Sequence, residues 1–249
     1  MTEPLTIETL TGRETAYFVV RDRGPVRFII MNRPRARNAL NREMRRAFPD
    51  LLQQAEAAPG IRAIVLTGAG TSFSAGVDVK EGRIGPSLPP ISPNPAEVLR
   101  GMRKPVIAAV NGACVTGALE MALSCSFIVA STRAHFADTH LALGKFPRWG
   151  QSALLPAAIG AQRARRMLLT SEPIDAARAA DWGLAAEIVP PEALLTRCLE
   201  LGSRIARTDE AAMASLLALM HETDKAALAP GIEAEQHAAT CFTHGPKPP

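Results

Sequence analysis

The sequence has little of what marks several large classes of protein. Only 4% of its 249 residues are aromatic, and the basic residues behind a net charge of +4 are dispersed, so nucleic-acid binding has little support. The opening residues, MTEPLTIETL, lack the basic and apolar regions of a secretion signal and include Glu3 and Glu8. We therefore expect a cytoplasmic protein that binds no nucleic acid.

Cysteine is also scarce and scattered. The four cysteines, Cys114, Cys125, Cys198 and Cys241, fit neither a metal-ligand spacing nor a dense disulfide framework. Cys114 and Cys125 lie within strongly apolar sequence. We predict no metal site, and we expect most of the cysteines to be reduced, small core residues.

One long apolar stretch, residues 105–130, carries a single charged residue, Glu120. Its length alone would allow a membrane span. Asn111, Gly112 and Gly117 interrupt the stretch and divide it into a strand-like half and a helix-like half. We therefore predict a buried strand–helix unit and no membrane span.

Apolar runs and turn residues predict that strands and helices alternate. Residues 17–21 and 26–31 are strand-like runs on either side of a short turn, which is typical of a hairpin. Residues 61–67 and 105–110 predict buried strands that end in glycine-containing turns. Residues 81–95 are rich in proline and predict an irregular, mobile loop that could cover a ligand. The alternation predicts an α/β fold with a largely parallel sheet.

Helical spacing appears first after the hairpin and then dominates the C-terminal third. From Ala39 onward apolar residues recur at helical intervals, with Asn38 or Asn41 as the candidate cap. Pro49 should kink this helix or end it. Further helices are predicted at residues 118–124, 151–158, 161–169, 175–181, 192–206 and 210–221.

Two glycine-containing segments have the composition of a reaction site. In residues 68–78, GAGTSFSAGVD, small side chains leave backbone N–H groups free to bind an oxyanion, although an ordinary turn would also use them. Residues 111–120, NGACVTGALE, place Gly117 near a helix N-terminus. Glu120 follows among apolar residues, where burial would raise its pKa toward values useful for proton transfer. By spacing alone, Glu120 could instead cap its own helix.

Four segments together resemble the crotonase superfamily, the enoyl-CoA hydratase/isomerase family. They are NRPRARNAL at residues 32–40, SFSAGVD at residues 72–78, IAAVNGACVTGALEMALSCSFIVAS at residues 107–131 and ADWGLAAEIVP at residues 180–190. The resemblance implies an α/β fold with a crotonase-type ββα spiral core, residues 1–190, that binds CoA and carries out catalysis. It implies a C-terminal helical region, residues 191–249, that assembles homotrimers or pairs of trimers, with the hexamer expected.

This resemblance also implies an activity. Crotonase-type enzymes act on acyl-CoA thioesters through an enolate, and the best named reaction is that of an enoyl-CoA hydratase, which adds water to a 2-enoyl-CoA. The resemblance leaves open isomerisation, decarboxylation, thioester hydrolysis and a catalytically inactive acyl-CoA-binding protein. No separate cofactor is implied, because coenzyme A is part of the substrate. The backbone N–H groups of Val77 and Gly117 would form the oxyanion hole.

The resemblance further implies contacts with coenzyme A in two segments. The implied residues are Ala36, Arg37, Ala39, Ala75, Gly76, Asp78, Val79 and Lys80. Arg37 and Lys80 could meet the phosphates of CoA by charge attraction, or they could be solvated surface residues.

Glu120 falls on the first of two catalytic glutamates in the hydratase pattern, whereas His140 occupies the position of the second. Histidine can act as a general acid or base near neutral pH, and it can equally be structural. Asp138 could orient His140, although residues two apart on an extended segment share a face without necessarily touching. Trp149 could shape the acyl pocket or simply contribute buried area.

Overall fold

The computed structural model describes residues 5–7, 12–81 and 90–242. Within them the strands are β1 (Gly12–Glu14), β2 (Phe18–Arg23), β3 (Val26–Met31), β4 (Ala63–Gly68), β5 (Ser72–Ser74), β6 (Val106–Val110), β7 (Ala113–Val115), β8 (Phe127–Ser131), β9 (His135–Ala137), β10 (Ile174–Asp175) and β11 (Glu187–Val189). The helices are α1 (Arg42–Ala57), α2 (Pro95–Arg100), α3 (Gly117–Leu123), α4 (Gln151–Ile159), α5 (Ala161–Thr170), α6 (Ala176–Asp181), α7 (Leu194–Ile205) and α8 (Glu210–Cys241). Residues 82–89 of the predicted loop lie outside the described residues.

The larger sheet has the strand order β1-β2-β3-β4-β6-β8-β11. Its first three strands pair antiparallel, and β2 and β3 form the predicted hairpin. From β3 onward each neighbouring pair, β3–β4, β4–β6, β6–β8 and β8–β11, is parallel. The prediction of a largely parallel sheet is therefore confirmed.

Both faces of the larger sheet are covered, as parallel sheets require. Side chains alternate along β4, so that Ile64 and Leu66 belong to one apolar cluster and Val65 to another. The second cluster includes Leu194 and Cys198 of α7, which covers that face. The division into a core and a C-terminal region remains a prediction.

A smaller sheet with the order β10-β9-β7-β5 carries the candidate site. Its strands have only two or three residues each, which is too short for a periodic sequence signal, and the sequence analysis missed them. Strands β5, β7 and β9 each follow a strand of the larger sheet, β4, β6 and β8 respectively. The chain therefore steps three times from the larger sheet to the smaller one, and the predicted catalytic segments lie along these steps.

Helix α1 shows which of the two predicted caps is used and that the helix does not end at Pro49. The side-chain oxygen of Asn41 accepts a hydrogen bond from the Met44 N–H at 2.9 Å, so Asn41 is the N-cap. The helix continues through Pro49 to Ala57, and Pro49 is buried among the apolar residues of its inner face. The proline therefore does not end the helix, because packing of that face outweighs one lost backbone hydrogen bond.

Helix α8 extends well beyond the predicted end at His221 and reaches Cys241. The added part is rich in Ala and Glu, which are strong helix formers. It contacts α4, where a Cβ placed on Gly231 would lie 3.1 Å from the Cβ of Ala153. Glu235 and Ala239 of this part are buried. The end of α8 is thus docked on the body of the protein beside α4.

The apolar stretch at residues 105–130 is divided among β6, β7, α3 and β8. Among the described residues, no helix is long and apolar enough to cross a membrane. All four cysteines are free thiols; Cys114 and Cys198 are buried, whereas Cys241 is exposed. The expectation of small core cysteines is confirmed for the two buried ones.

Candidate active site

The two predicted oxyanion segments lie against each other. A Cβ placed on Gly76, whose φ is +82°, would lie 2.2 Å from Oγ1 of Thr116 and 3.2 Å from the backbone nitrogen of Gly117. Only glycine therefore fits at this contact. Among the described residues, the N–H groups of Val77 and Gly117 have no hydrogen-bond acceptor. Two free backbone donors thus lie close together, as an oxyanion hole requires.

Thr116 holds an unusual backbone conformation directly before Gly117. Its φ of 50° and ψ of −116° are rare for a β-branched residue. The Thr116 N–H donates to the carbonyl of Ala137 at 3.0 Å, and its hydroxyl donates to the carbonyl of Val115 at 2.8 Å. Such strain persists only where the surroundings fix it and is common at functional sites. Here it directs the free N–H of Gly117.

Glu120 is buried, with 2% of its surface exposed. Its Oε1 atom accepts hydrogen bonds from the backbone N–H groups of Trp149, at 2.7 Å, and Gln151, at 3.2 Å. The alternative that Glu120 caps its own helix is wrong, because Thr116 is the N-cap of α3 and the carboxylate bonds to another segment. Burial raises the pKa of Glu120 to about 7, although the charge of His140 and both amides oppose this. The predicted direction is confirmed.

His140 lies between Glu120 and Asp138. Its Nε2 atom is 4.0 Å from Oε2 of Glu120, and its Nδ1 atom is 2.8 Å from Oδ2 of Asp138. The expectation of an extended segment is wrong: His140 has helical dihedral angles and opens a 3₁₀ turn, Leu141–Leu143. This bend lets Asp138 also accept the His140 backbone N–H at 3.0 Å.

The surroundings of His140 have opposing effects on its pKa. Burial lowers the pKa, but the hydrogen bond that His140 donates to Asp138 and the charges of Asp138, Glu120 and Glu235 outweigh burial, so the pKa of His140 is raised. The imidazolium form is therefore favoured more than in a free histidine. A carboxylate and an imidazolium that face each other can take up and give a proton across a short gap.

Trp149 adjoins both oxyanion residues. A Cβ placed on Gly117 would lie 3.0 Å from Cζ3 of Trp149 and 3.3 Å from Cγ2 of Val77. The indole is buried, with 9% of its residue surface exposed. Trp149 thus contributes buried area at a place where it also limits the space beside the oxyanion donors, and its role in the acyl pocket remains a prediction.

The sequence analysis did not single out three residues that support Glu120. Arg100 and Glu235 hold the segment that carries the donors to Glu120, and Gln151 is one of those donors. Arg100 donates from Nη1 to the carbonyl of Trp149 at 2.9 Å, and Glu235 accepts the N–H groups of Gly150 and Ser152. The N–H of Gln151, the third residue, is itself a donor to Glu120. No local pattern could have identified Arg100 or Glu235, because their partners are backbone atoms distant in sequence.

The two predicted CoA-contacting segments form one continuous surface. The N–H of Ala75 donates to the carbonyl of Arg37 at 2.9 Å, and the N–H of Leu40 donates to the carbonyl of Gly76 at 2.8 Å. The exposed predicted residues are Arg37, Val79 and Lys80, whereas Ala36, Ala39, Ala75 and Asp78 are partly buried and Gly76 is buried. The structure therefore brings the eight predicted residues together, and their contacts with CoA remain a prediction.

Arg33 and Asn38 fasten this surface to the rest of the site. The side chain of Asn38 is fully buried, accepts the Arg33 N–H at 2.9 Å and donates to the carbonyl groups of Ala69 and Ser72. Arg33 donates from Nη1 to Oδ2 of Asp78 at 3.1 Å. The carboxylate of Asp78 is thus engaged within the protein, so an ionic contact with CoA through it is disfavoured.

A cavity of about 640 Å³ lies beside the site, between α2, α3 and α8. Arg100, Leu154 and Ile232 are among its lining residues. Glu120 and His140 do not line it. The cavity therefore adjoins the segment that holds Glu120 without containing the candidate reacting groups.

Comparisons with known proteins agree with this geometry. Residues 22–247 match the model of a family described as enoyl-CoA hydratase/isomerase. A probable enoyl-CoA hydratase from Rhizobium meliloti is 37% identical over 194 residues, 76% of this chain and 74% of the relative. A probable peroxisomal enoyl-CoA hydratase 1 from Arabidopsis thaliana is 30% identical over 237 residues, 94% of this chain and 89% of the relative.

Solved structures show the same likeness. The crystal structure of an enoyl-CoA hydratase from Mycobacterium avium superposes with a TM-score of 0.82 at 38% identity and covers 91% of this chain and 96% of that chain. The crystal structure of an enoyl-CoA hydratase/isomerase from Xanthobacter autotrophicus has a TM-score of 0.85 at 26% identity. The match covers 92% of this chain and 87% of that chain. The predicted crotonase-type α/β fold is confirmed.

Proposed function

The chain belongs to the enoyl-CoA hydratase/isomerase family, and from this premise we propose that it hydrates 2-enoyl-CoA thioesters. Water would add across the double bond to give a 3-hydroxyacyl-CoA. The observation that carries the proposal is the pair Glu120 and His140, 4.0 Å apart, in the same site as two free backbone donors. The relatives named as hydratases support this reaction over others of the family.

The N–H groups of Val77 and Gly117 would bind the thioester oxygen. Attack of water on the β-carbon moves negative charge onto that oxygen, so fixed donors stabilise the enolate more than the substrate. Each such donor is worth about 10²–10³ in rate in a site that excludes water. Because the donors belong to the backbone, the side chain of Val77 contributes to packing only.

Glu120 would act as the base and His140 as the acid. A water oxygen about 2.8 Å from both Oε2 of Glu120 and Nε2 of His140 fits a separation of 4.0 Å. The water oxygen attacks the β-carbon while Glu120 takes a proton from the water. The imidazolium of His140 gives a proton to the α-carbon. Transfer of a proton from Glu120 to His140 then restores both groups.

Asp138 supports this assignment of roles. Its carboxylate accepts the Nδ1–H of His140, which fixes the ring and stabilises the cationic form that must donate. Trp149 would limit the acyl group beside the oxyanion donors. The adenine and phosphates of CoA would lie along the two joined segments with Arg37 and Lys80, and the reaction needs no separate cofactor.

The helix α8 supports assembly into trimers, or into hexamers built from two trimers. Leu216, Leu219 and Met220 lie on one side of α8 and are 60%, 65% and 52% exposed. An apolar stripe of this kind on a water-soluble surface is typical of a contact between subunits. Leu217, in the same stretch of α8, is buried.

The test is the loss of absorbance at the conjugated thioester band of crotonyl-CoA. The wild type should bleach the band, and Glu120→Gln and His140→Ala should each lower kcat by about 10²–10⁴. Glu222→Gln, on the exposed surface of α8, is the control and should keep wild-type activity. If the wild type binds crotonyl-CoA without bleaching the band of this or longer enoyl thioesters, the proposal is wrong.

A further inference from the structure

Glu235 is a buried carboxylate on α8 that the roles above do not use. Only 3% of its surface is exposed. Its Oε1 accepts the N–H of Gly150 and its Oε2 accepts the N–H of Ser152, each at 2.7 Å. A buried charge is costly even when it is hydrogen-bonded, whereas an apolar side chain would dock a helix without that cost. The carboxylate satisfies two backbone N–H groups at the start of α4, which an apolar side chain would leave unpaired.

Its partners alternate with those of Glu120 along one short segment. The N–H groups of Trp149 and Gln151 donate to Glu120, and those of Gly150 and Ser152 donate to Glu235. The segment 149–152 thus lies between two carboxylates and donates alternately to one and the other. Any shift that breaks the bonds to Glu235 moves the donors that fix Glu120.

The charges around Glu120 come from three elements. His140 follows β9, Glu235 lies on α8 and Arg100 lies at the end of α2. Burial is the largest cause that raises the pKa of Glu120, and the negative charge of Glu235 raises it further, whereas His140 lowers it. Arg100 also donates to the carbonyl of Trp149 and so holds the same segment.

We infer that Glu235 is a positioning residue for the reaction: it fixes the segment 149–152 from the C-terminal helix, and through this segment it sets the place of Glu120. The inference rests on the proposed role of Glu120 in hydration. It makes α8 part of the active site as well as a candidate contact surface, and it couples docking of this helix to catalysis.

A purely anchoring role for Glu235 is the rival explanation. Helix α8 has further contacts here: Arg148 donates to the carbonyl of Ala239 at 2.8 Å, and Ile232 lies beside Gly150. These contacts remain when Glu235 is changed, so a substitution need not release the helix. A measurement that responds to Glu120 itself is therefore able to separate the two roles.

The variants are Glu235→Gln and Glu235→Asp, with Glu233→Gln, two residues earlier on α8 and exposed, as the matched control. In Glu235→Gln the amide nitrogen meets a backbone N–H, so one donor loses its acceptor. We expect kcat for crotonyl-CoA to fall by about 10- to 100-fold, with KM within about threefold, because the reacting group is displaced and the CoA surface is not. Glu235→Asp keeps the charge and should recover part of kcat.

The second measurement does not depend on enzymatic activity. In protein labelled with ¹³C at the glutamate carboxyl groups, the resonance of Glu120 is the one lost in Glu120→Gln, and its chemical shift against pH gives its pKa. In Glu235→Asp, which keeps the charge, displacement of the Trp149 and Gln151 donors should move this titration to higher pH, because both hydrogen bonds lower the pKa of Glu120. In Glu235→Gln, removal of a neighbouring anion acts in the opposite direction. Glu233→Gln should leave the titration in place.

The outcomes separate the inference from the proposed function. If the wild type hydrates no enoyl-CoA but Glu235→Asp still shifts the titration, the function is wrong and the coupling between Glu235 and Glu120 stands. If Glu235→Asp leaves the titration unchanged and Glu235→Gln leaves kcat unchanged, or if both variants lower only the unfolding midpoint, Glu235 is an anchor and the inference fails. If Glu235→Gln does not fold, Glu235→Asp decides by the same two measurements.

Discussion

Oε2 of Glu120 and Nε2 of His140 lie 4.0 Å apart, too far for a direct hydrogen bond and close enough to hold one water between them. Each group has its other polar atom engaged elsewhere, Oε1 with the Trp149 and Gln151 amides and Nδ1 with Asp138. The two free atoms are therefore fixed toward each other. At this separation the two groups can exchange protons through one shared water molecule.

The first prediction concerns Asp138→Asn. Asparagine keeps an oxygen for the His140 backbone N–H but removes the charge that raises the pKa of His140. Because His140 is the imidazolium acid of the proposed mechanism, the alkaline limb of the kcat profile should move to lower pH, and kcat on that limb should fall by about tenfold. Steady-state rates between pH 5 and 10 test this, with the exposed Asp50→Asn as control. An unmoved alkaline limb would remove Asp138 from the mechanism.

The second prediction concerns stability and Glu120. Its pKa of about 7 in the folded protein exceeds the ordinary value of 4.5, so the folded state holds this proton more tightly than the unfolded chain. The contribution of the group to the free energy of unfolding is therefore full below about pH 4.5 and is lost as the pH rises to about 7. Glutamine has no proton to lose. As the pH rises from about 4.5 to about 7, the free energy of unfolding of Glu120→Gln should therefore increase relative to that of the wild type by on the order of 1–3 kcal/mol.

Urea unfolding at pH 4.5, 6 and 8 measures this difference. The exposed Glu222→Gln serves as the control, and its curve should follow that of the wild type. If the difference between Glu120→Gln and wild type is the same at all three pH values, the folded protein does not raise the pKa of Glu120. A difference that grows in favour of the wild type would reverse the predicted sign.

The third prediction concerns Gly117→Ala. The new methyl group would lie 3.0 Å from Cζ3 of Trp149 and 3.3 Å from Cγ2 of Val77, so the indole or the oxyanion segment must shift. We expect kcat/KM to fall by about 10²–10³, as for the loss of one oxyanion donor. Gly60→Ala is the control, because nothing lies within 4 Å of the new methyl group. Wild-type kcat/KM in Gly117→Ala would exclude the N–H of Gly117 from the reaction.

The fourth prediction concerns assembly. A charge at the exposed Leu219 of α8 should break contacts along its apolar stripe, so Leu219→Glu should lower the mass seen by light scattering from a trimer or hexamer toward the monomer. Leu169→Glu on α5 is the matched control, because Leu169 is 70% exposed and lies away from the stripe. A wild type that is monomeric at micromolar concentration would exclude this assembly outright.

Much of the fold followed from local pattern. The runs at residues 26–31 and 105–110 became β3 and β6 because a central parallel strand is buried on both faces and reads as a continuous apolar run. Helix α8 was cut short in the prediction, since its second half docks through a few contacts spread along an otherwise exposed helix. The strands of the smaller sheet were too short to leave any period.

By itself the sequence determined that Glu120 is a buried carboxylate beside a glycine turn, because its apolar neighbours are local. Only the tertiary structure decided which groups hold it. The Trp149 amide comes from 29 residues away, and Glu235 reaches Gly150 across 85 residues. These partners are backbone N–H groups, which every residue but proline carries, so no residue type marks them in advance. The fold alone brings those donors to the two carboxylates.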